Sequence, residues 1–178
     1  MKNNKYKLLV VDIDGTILDI NNRISDIDKQ ALKDVVDSGT PVALSTGRVV
    51  QASLRFLKQL ELDGYHMFFD GALVYSPEKD EEVYVDPISA DIIGEMIEFS
   101  RLIQLDFDLY SITHFFAERE SFATDIRRDF FKLDATIVDF REIQHKERCI
   151  KGTLVVSSEE DKQKIYEDNA RKLFRLPI

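Results

Sequence analysis

The chain has 178 residues, with 24 Lys and Arg against 33 Asp and Glu, a net charge of −9 and 44% hydrophobic residues. That length holds one ordinary domain or two small ones, and the composition is that of a folded globular chain, not a disordered one. An acidic surface repels nucleic-acid phosphate, which argues against nucleic acid as a partner. The single Cys149 excludes an intrachain disulfide and fits a reducing cytosol. The apolar run near the start is too short for a signal peptide or a membrane span, so the expected location is cytoplasmic, with no membrane partner.

Lys7 to Asp12 reads as the first strand. Leu8-Leu9-Val10-Val11 suits a parallel strand covered on both faces, and Asp12 then falls at its carboxyl end, where ligands bind in open α/β sheets. Gly15 permits a sharp turn and a close backbone approach to a ligand. Asp12 and Asp14 offer one carboxylate as nucleophile or metal ligand and one as general acid or base. The bland alternative is a strand that ends in an acidic turn. The apolar strand before the pair and Thr16 after it favour the catalytic reading.

Asp19 to Ile24 is expected as a loop or short hairpin. Ser25-x-x-Asp28 predicts a capping box for a helix with Ile27, Ala31, Leu32, Val35 and Val36 on its inner face, closed by Gly39. Pro41 to Leu44 is the second strand and leads into Ser45-Thr46-Gly47-Arg48. A second helix follows, with Val50, Leu54, Leu57 and Leu60 inward. His66 to Phe69 is the third strand, and Asp70-Gly71 predicts a tight hairpin into Ala72 to Tyr75. The order β-α-β-α-β predicts a parallel sheet with right-handed crossovers.

The pattern changes between Pro77 and Pro87, where Glu78 to Glu82 reads as a charged, solvated turn. A third helix follows Ser89, with Ile92, Ile93, Met96, Ile97 and Ile103 buried. Leu105 to Ser111 and His114 to Glu118 alternate as an antiparallel pair with one wet face. Phe122 to Leu133 reads as a helix, Ala135 to Phe140 and Ile150 to Ser157 as strands. Ser158-x-x-Asp161 caps a last helix with Ile165, Tyr166, Leu173 and Phe174 inward. Residues 1–84 therefore form an α/β module and residues 85–178 an α+β module.

The ends of neighbouring parallel strands lie side by side. The Thr46 hydroxyl, the backbone N–H groups after it and the Arg48 guanidinium are thus candidates to bind an anion held by Asp12. Taken alone, the segment reads equally well as a strand-to-helix loop with an N-cap. No Gly-x4-Gly-Lys-Ser/Thr and no Gly-x-Gly-x-x-Gly occurs, which argues against P-loop and dinucleotide binding. His66, His114 and His145 show no metal-ligand spacing, and Cys149 reads as a small apolar filler. Arg127, Arg128 and Lys132 read as a solvated helix face.

Asp12-Ile13-Asp14-Gly15-Thr16 and Ser45-Thr46-Gly47-Arg48 resemble the first two motifs of the haloacid dehalogenase (HAD) superfamily, in its Cof-type, class IIB branch. Asp70-Gly71-Ala72 is similar to that branch's Asn-Gly-Ala segment. The resemblance implies an incomplete Rossmann-like core over residues 1–84 and a C2-type cap over 85–178. It implies Asp12 as the nucleophile that becomes an aspartyl-phosphate and Asp14 as the acid and base. Mg²⁺ would be held by the Asp12 carboxylate and the Asp14 carbonyl. Thr46, Gly47, Arg48 and Gly15 would cradle the phosphate of a small phosphorylated metabolite, such as a sugar phosphate. An anionic carboxylate attacks an anionic phosphate only when a cation neutralises the charge between them.

Two motifs of that family have no counterpart: the Lys after the cap and the Gly-Asp-x-x-Asn-Asp that supplies further Mg²⁺ ligands. The chain therefore reads as truncated, and the first strand is expected at a sheet edge, an apolar pairing liability. A homodimer or a complementing chain would cover it. The alternative function is accordingly that of a catalytically incompetent fragment serving as a binding or assembly module.

Overall fold

The structure, a computed structural model, describes residues 6–163 and Ile165. It divides into two compact units, one ending at Asp86 and one beginning at Pro87. Both mix helices with strands, in keeping with the α/β class expected. Among the described residues, no helix is long and apolar enough to cross a membrane.

In the first unit, β1 (Leu9–Val11) pairs in parallel with β2 (Val42–Leu44), in the register Leu9–Val42, Val10–Ala43, Val11–Leu44. Helix α1 (Asp26–Asp37) connects them. Its N-cap is Ser25, whose Oγ accepts from the Asp28 N–H. The expected reciprocal bond is absent: the Ser25 hydroxyl itself donates to the Asp28 carboxylate, at 2.6 Å, because an Asp side chain is too short to reach back to the cap N–H. Gly39, at φ +89°, closes the helix. Only Leu32 of the expected inner face is buried; Ile27 and Val36 are exposed, since a narrow stripe of α1 meets the rest of the unit.

Helix α2 (Val50–Leu60) buries Val50, Phe56, Leu57 and Leu60, while Leu54 points outward. Phe56 occupies the inner position given to Leu54 in the sequence reading. The sheet continues through β3 (His66–Phe68), which lies beside β2 through a parallel bridge between Ser45 and Met67. His66 is buried in the core. Its Nδ1 accepts from the Leu44 N–H at 3.1 Å, so an imidazole stands where a neighbouring strand would present a carbonyl. Burial pushes this imidazole down to about 4, so it is neutral at pH 7.

β3 pairs antiparallel with β4 (Leu73–Ser76), Phe68 opposite Leu73. Four residues therefore make the turn, not the two-residue Asp-Gly hairpin expected, and Phe69, Asp70 and Gly71 all have positive φ. The charged run after Pro77 is in part a strand. β5 (Glu81–Val85) pairs antiparallel with β4, with a register shift at Val74/Tyr75. It was hidden because its side chains are almost all exposed, which removes the apolar alternation that marks a half-buried strand.

The second unit carries a four-stranded sheet in the order β8-β7-β6-β9. These are β6 (Asp106–Tyr110), β7 (Phe115–Ala117), β8 (Thr136–Ile137) and β9 (Lys151–Val155). Helix α3 (Ala90–Ile103) buries Ile93 and Ile97 against it, in a cluster with Phe107, Leu109, Phe116, Phe140, Ile143 and Cys149. Ile92 faces outward. The helix expected from Phe122 is shorter: α4 (Phe122–Ile126) widens into a turn over Arg127–Phe131 and stops at Lys132, whose φ is +58°. Phe140 begins a short helix, α5 (Phe140–Ile143), where a strand was expected. Ser158 caps the helical turn after β9, with the Asp161 N–H at 3.1 Å; Tyr166, Leu173 and Phe174 lie outside the described residues.

The wet face expected on β6 is not wet. Because β6 is an inner strand, Asp108 is only 1% exposed. Its Oδ2 lies 3.3 Å from Arg127 Nε and accepts from the Tyr110 hydroxyl at 3.2 Å. Arg127 Nε also donates to the Tyr110 oxygen at 2.8 Å, so Arg127 is a partner for a buried charge and not part of a solvated face. Burial pushes Asp108 up to about 6, against the pull of Arg127. The folded state thus holds the Asp108 proton more tightly than the unfolded chain. Its contribution to stability is complete below about pH 4 and is lost as pH rises through about 6. Arg127→Met leaves the carboxylate buried and unpaired. We expect a loss of about 3–5 kcal/mol at pH 8 and a clearly smaller loss at pH 5, measured by urea denaturation at both pH values.

Candidate active site

The β1–β2 register fixes the site. The Ser45 N–H donates to the Val11 carbonyl at 2.9 Å, so the chain leaves both strands at one level and the two loops run on together. After β1, residues Ile13–Ile17 make one wide turn. Ile13 and Ile17 anchor it in the core, while Asp12, Asp14, Gly15 and Thr16 between and before them are exposed. Gly15 has φ +75°, a conformation that a side chain would strain. The Thr16 hydroxyl lies 3.4 Å from Asp12 Oδ2, on the edge of hydrogen bonding.

After β2, Thr46 is 3% exposed, its N–H bound to the Met67 carbonyl and its carbonyl to the Asp70 N–H. Its hydroxyl accepts from the Arg48 N–H at 3.1 Å, which is the geometry of a turn leading into α2. Gly47 is half-buried against Asp70; a Cβ there would overlap the Asp70 carboxylate. The β3–β4 turn thereby joins the same edge, with the Phe69 N–H on the Arg48 carbonyl at 3.1 Å.

Arg48 reaches back across both loops. Nε donates to Asp14 Oδ2 at 2.7 Å and Nη2 to Asp14 Oδ1 at 2.6 Å, a two-point fork. The guanidinium lies over the Phe56 ring, 5.0 Å from its centroid. The Arg48 hydrogen bond holds the Asp14 carboxyl below its ordinary range; partial burial opposes this, and the charges of Arg48 and Arg55 add to it. The structure thus gathers Asp12, Asp14, Gly15, Thr46, Gly47 and Arg48 at one edge. The Arg48 fork goes to Asp14, whereas the sequence reading aimed that side chain at an anion. The fork escaped the sequence reading because the partners are 34 residues apart. The Gly47–Asp70 approach had a signal in the Gly of the second motif.

As for a metal, Asp12 is an exposed hard-oxygen donor, and the Asp14 side chain is engaged by Arg48. Among the described residues, no group of three or more His, Cys, Asp or Glu is placed to hold an ion. One carboxylate plus a main-chain oxygen fits a hard cation that keeps most of its water, such as Mg²⁺, and does not fit a tetrahedral Zn²⁺ cage.

A model of the haloacid dehalogenase-like hydrolase family matches residues 9–176. The chain belongs to that family. A candidate phosphatase of Streptococcus pyogenes serotype M6 is 36% identical over 110 residues, covering 60% of this chain and 40% of that protein. The 5-amino-6-(5-phospho-D-ribitylamino)uracil phosphatase YitU of Bacillus subtilis is 30% identical over 97 residues, 54% of this chain and 36% of its own length. The fold matches a haloacid dehalogenase-like hydrolase of Bacteroides thetaiotaomicron with a TM-score of 0.79 at 20% identity, over 95% of this chain and 65% of that one. It matches the HAD subclass IIB sugar phosphatase BT4131 with a TM-score of 0.72 at 22% identity, over 89% of this chain and 62% of that one. The chain thus spans less than two thirds of each of these family members.

The tight approach at Gly47 makes a direct test of the site's packing. Gly47→Ala is expected to cost about 1–3 kcal/mol of stability by overpacking. Adding Asp70→Gly is expected to return most of it, read from urea denaturation of Gly47→Ala, Asp70→Gly, the double variant and the parent.

Proposed function

We propose that the chain supplies the nucleophile side of a Mg²⁺-dependent phosphatase site for a small phosphorylated metabolite, a sugar phosphate being one candidate. The observation that supports this best is the parallel register by which the loop of Asp12 and the loop of Thr46 and Gly47 leave their strands at the same end. In this reading an Asp12 carboxylate oxygen attacks phosphorus and the bond from phosphorus to the leaving oxygen breaks, giving an aspartyl-phosphate. Asp14 donates a proton to the leaving oxygen. Asp14 then takes a proton from water as that water attacks phosphorus and releases Asp12. Thr46, Gly47 and Gly15 bind the phosphoryl oxygens through the Thr46 hydroxyl and main-chain N–H groups. Mg²⁺, held by the Asp12 carboxylate and the Asp14 carbonyl, would neutralise charge between nucleophile and phosphate. The unit from Pro87, with its helix-backed β8-β7-β6-β9 sheet, is read as a C2-type cap. The phosphatases similar to this chain support the reaction class.

Hydrolysis of p-nitrophenyl phosphate tests the reading. We expect release of p-nitrophenol that needs added Mg²⁺ and falls at least 1,000-fold, an order-of-magnitude expectation for loss of a covalent nucleophile, in Asp12→Asn. Equal rates for the parent and Asp12→Asn would overturn it.

A second reading, a binding or assembly module, is favoured by one observation: Leu8, just before β1, and Val10 on it are 50% and 45% exposed. An apolar strand face at an edge invites a second copy or a complementing chain. Sedimentation velocity checks this. Dimers that dissociate in Val10→Lys are expected if the edge is an interface, and a monomer at all concentrations would refute it.

A further inference from the structure

We infer that Arg48 is a positioning residue that fixes the Asp14 carboxylate, and that it does not bind the transferring phosphoryl group. The inference rests on the reading of Asp14 as acid and base. Three observations carry it. Arg48 commits two donors, Nε and Nη2, to the two oxygens of Asp14 in a planar fork that sets both the distance and the plane of the carboxylate. The Arg48 side chain is 10% exposed and the Asp14 side chain 52% exposed, so the guanidinium is the seated partner and the carboxylate the accessible one. The guanidinium rests on the Phe56 ring of α2, and its main chain is tied at both ends of the residue, N–H to Thr46 Oγ1 and carbonyl to the Phe69 N–H. A side chain seated in this way is a fixed stop. An Arg48 turned to a phosphate ligand would instead leave the Asp14 anion free to rotate when it has to take the proton of the attacking water. Asp14 has no such constraint from its own loop, where the adjoining Gly15 turn leaves it exposed.

Turnover of p-nitrophenyl phosphate by Arg48→Met and Arg48→Lys separates the two roles. A positioning residue predicts kcat at least tenfold lower in Arg48→Met, with KM and the inhibition constant of inorganic phosphate within twofold of the parent. It also predicts partial recovery in Arg48→Lys and no further loss when Arg48→Met is added to Asp14→Asn. A tenfold rise in KM and in the phosphate inhibition constant, with kcat kept, would overturn it. The pair itself is read without turnover from the ¹⁵N spectrum. A slowly exchanging Arg48 Nε–H signal that survives Asp12→Asn and is lost in Asp14→Asn supports the fork, and one indifferent to Asp14→Asn refutes it. If the parent shows no hydrolysis, the proposed function fails while this signal still decides whether Arg48 holds Asp14.

Discussion

Everything at the functional edge hangs on three pairs of residues in one parallel ladder. Leu9–Val42, Val10–Ala43 and Val11–Leu44 set β1 and β2 side by side, and the Ser45 N–H extends the ladder one step to the Val11 carbonyl. A slip of one residue would turn every side chain of β1 to the opposite face, taking Ile13 out of the core and Asp12 away from the Thr46 loop. The register is defended from both sides. Val42, Ala43 and Leu44 are all buried, and Leu44 gives its outward N–H to the His66 ring in place of a backbone carbonyl. Burial pushes that imidazole down to about 4, so at neutral pH it keeps the lone pair that accepts this hydrogen bond.

On this frame the charges at the edge fall into an arrangement that a net charge of −9 would not suggest. Asp12 and Asp14 come from one loop and Asp70 from a second, and Arg48, from a third, rests on the Phe56 ring and binds Asp14. A fork to one carboxylate gives an unequal outcome for the two aspartates of the first motif. Asp14 is oriented and held as its anion, while among the described residues Asp12 has the long Thr16 contact at 3.4 Å. Such inequality is what nucleophile and acid-base roles require, since one carboxylate must reach phosphorus and the other must face the leaving oxygen. The docked anion suits the base step.

The sequence made the ancestry and the loops readable because Asp12-x-Asp14-Gly15-Thr16 and Ser45-Thr46-Gly47-Arg48 are local patterns, each bound to a strand end. Helix termini were legible for the same reason, as with Ser25 and Gly39. What escaped was set by distant partners. β5 has no buried side of its own and becomes a strand only through β4. Asp108 looked like a wet-face residue because alternation carries no information on whether a strand is inner or outer. Placing β9 on the far side of β6 buried it. The Arg48 fork is the same kind of omission: a motif shows which residue types converge, and only the fold shows which of them bind one another.

Two arginine–aspartate pairs, one in each unit, show how burial sets the balance. Asp108 and Arg127 are both withdrawn from water, and desolvation outweighs the pair, leaving the carboxyl raised to about 6. Asp14 and Arg48 share one exposed partner, and there the hydrogen bonds outweigh desolvation, leaving the carboxyl lowered. The opposite signs follow from the burial of Asp108 on one side and from the short two-point Arg48 fork on the more exposed Asp14 on the other. A buried pair of the first kind stiffens a sheet and serves no exchange with solvent. A pair of the second kind orients a carboxylate that still meets solvent and any ligand, which is why the proposed function gives the acid-base role to Asp14 and not to Asp108.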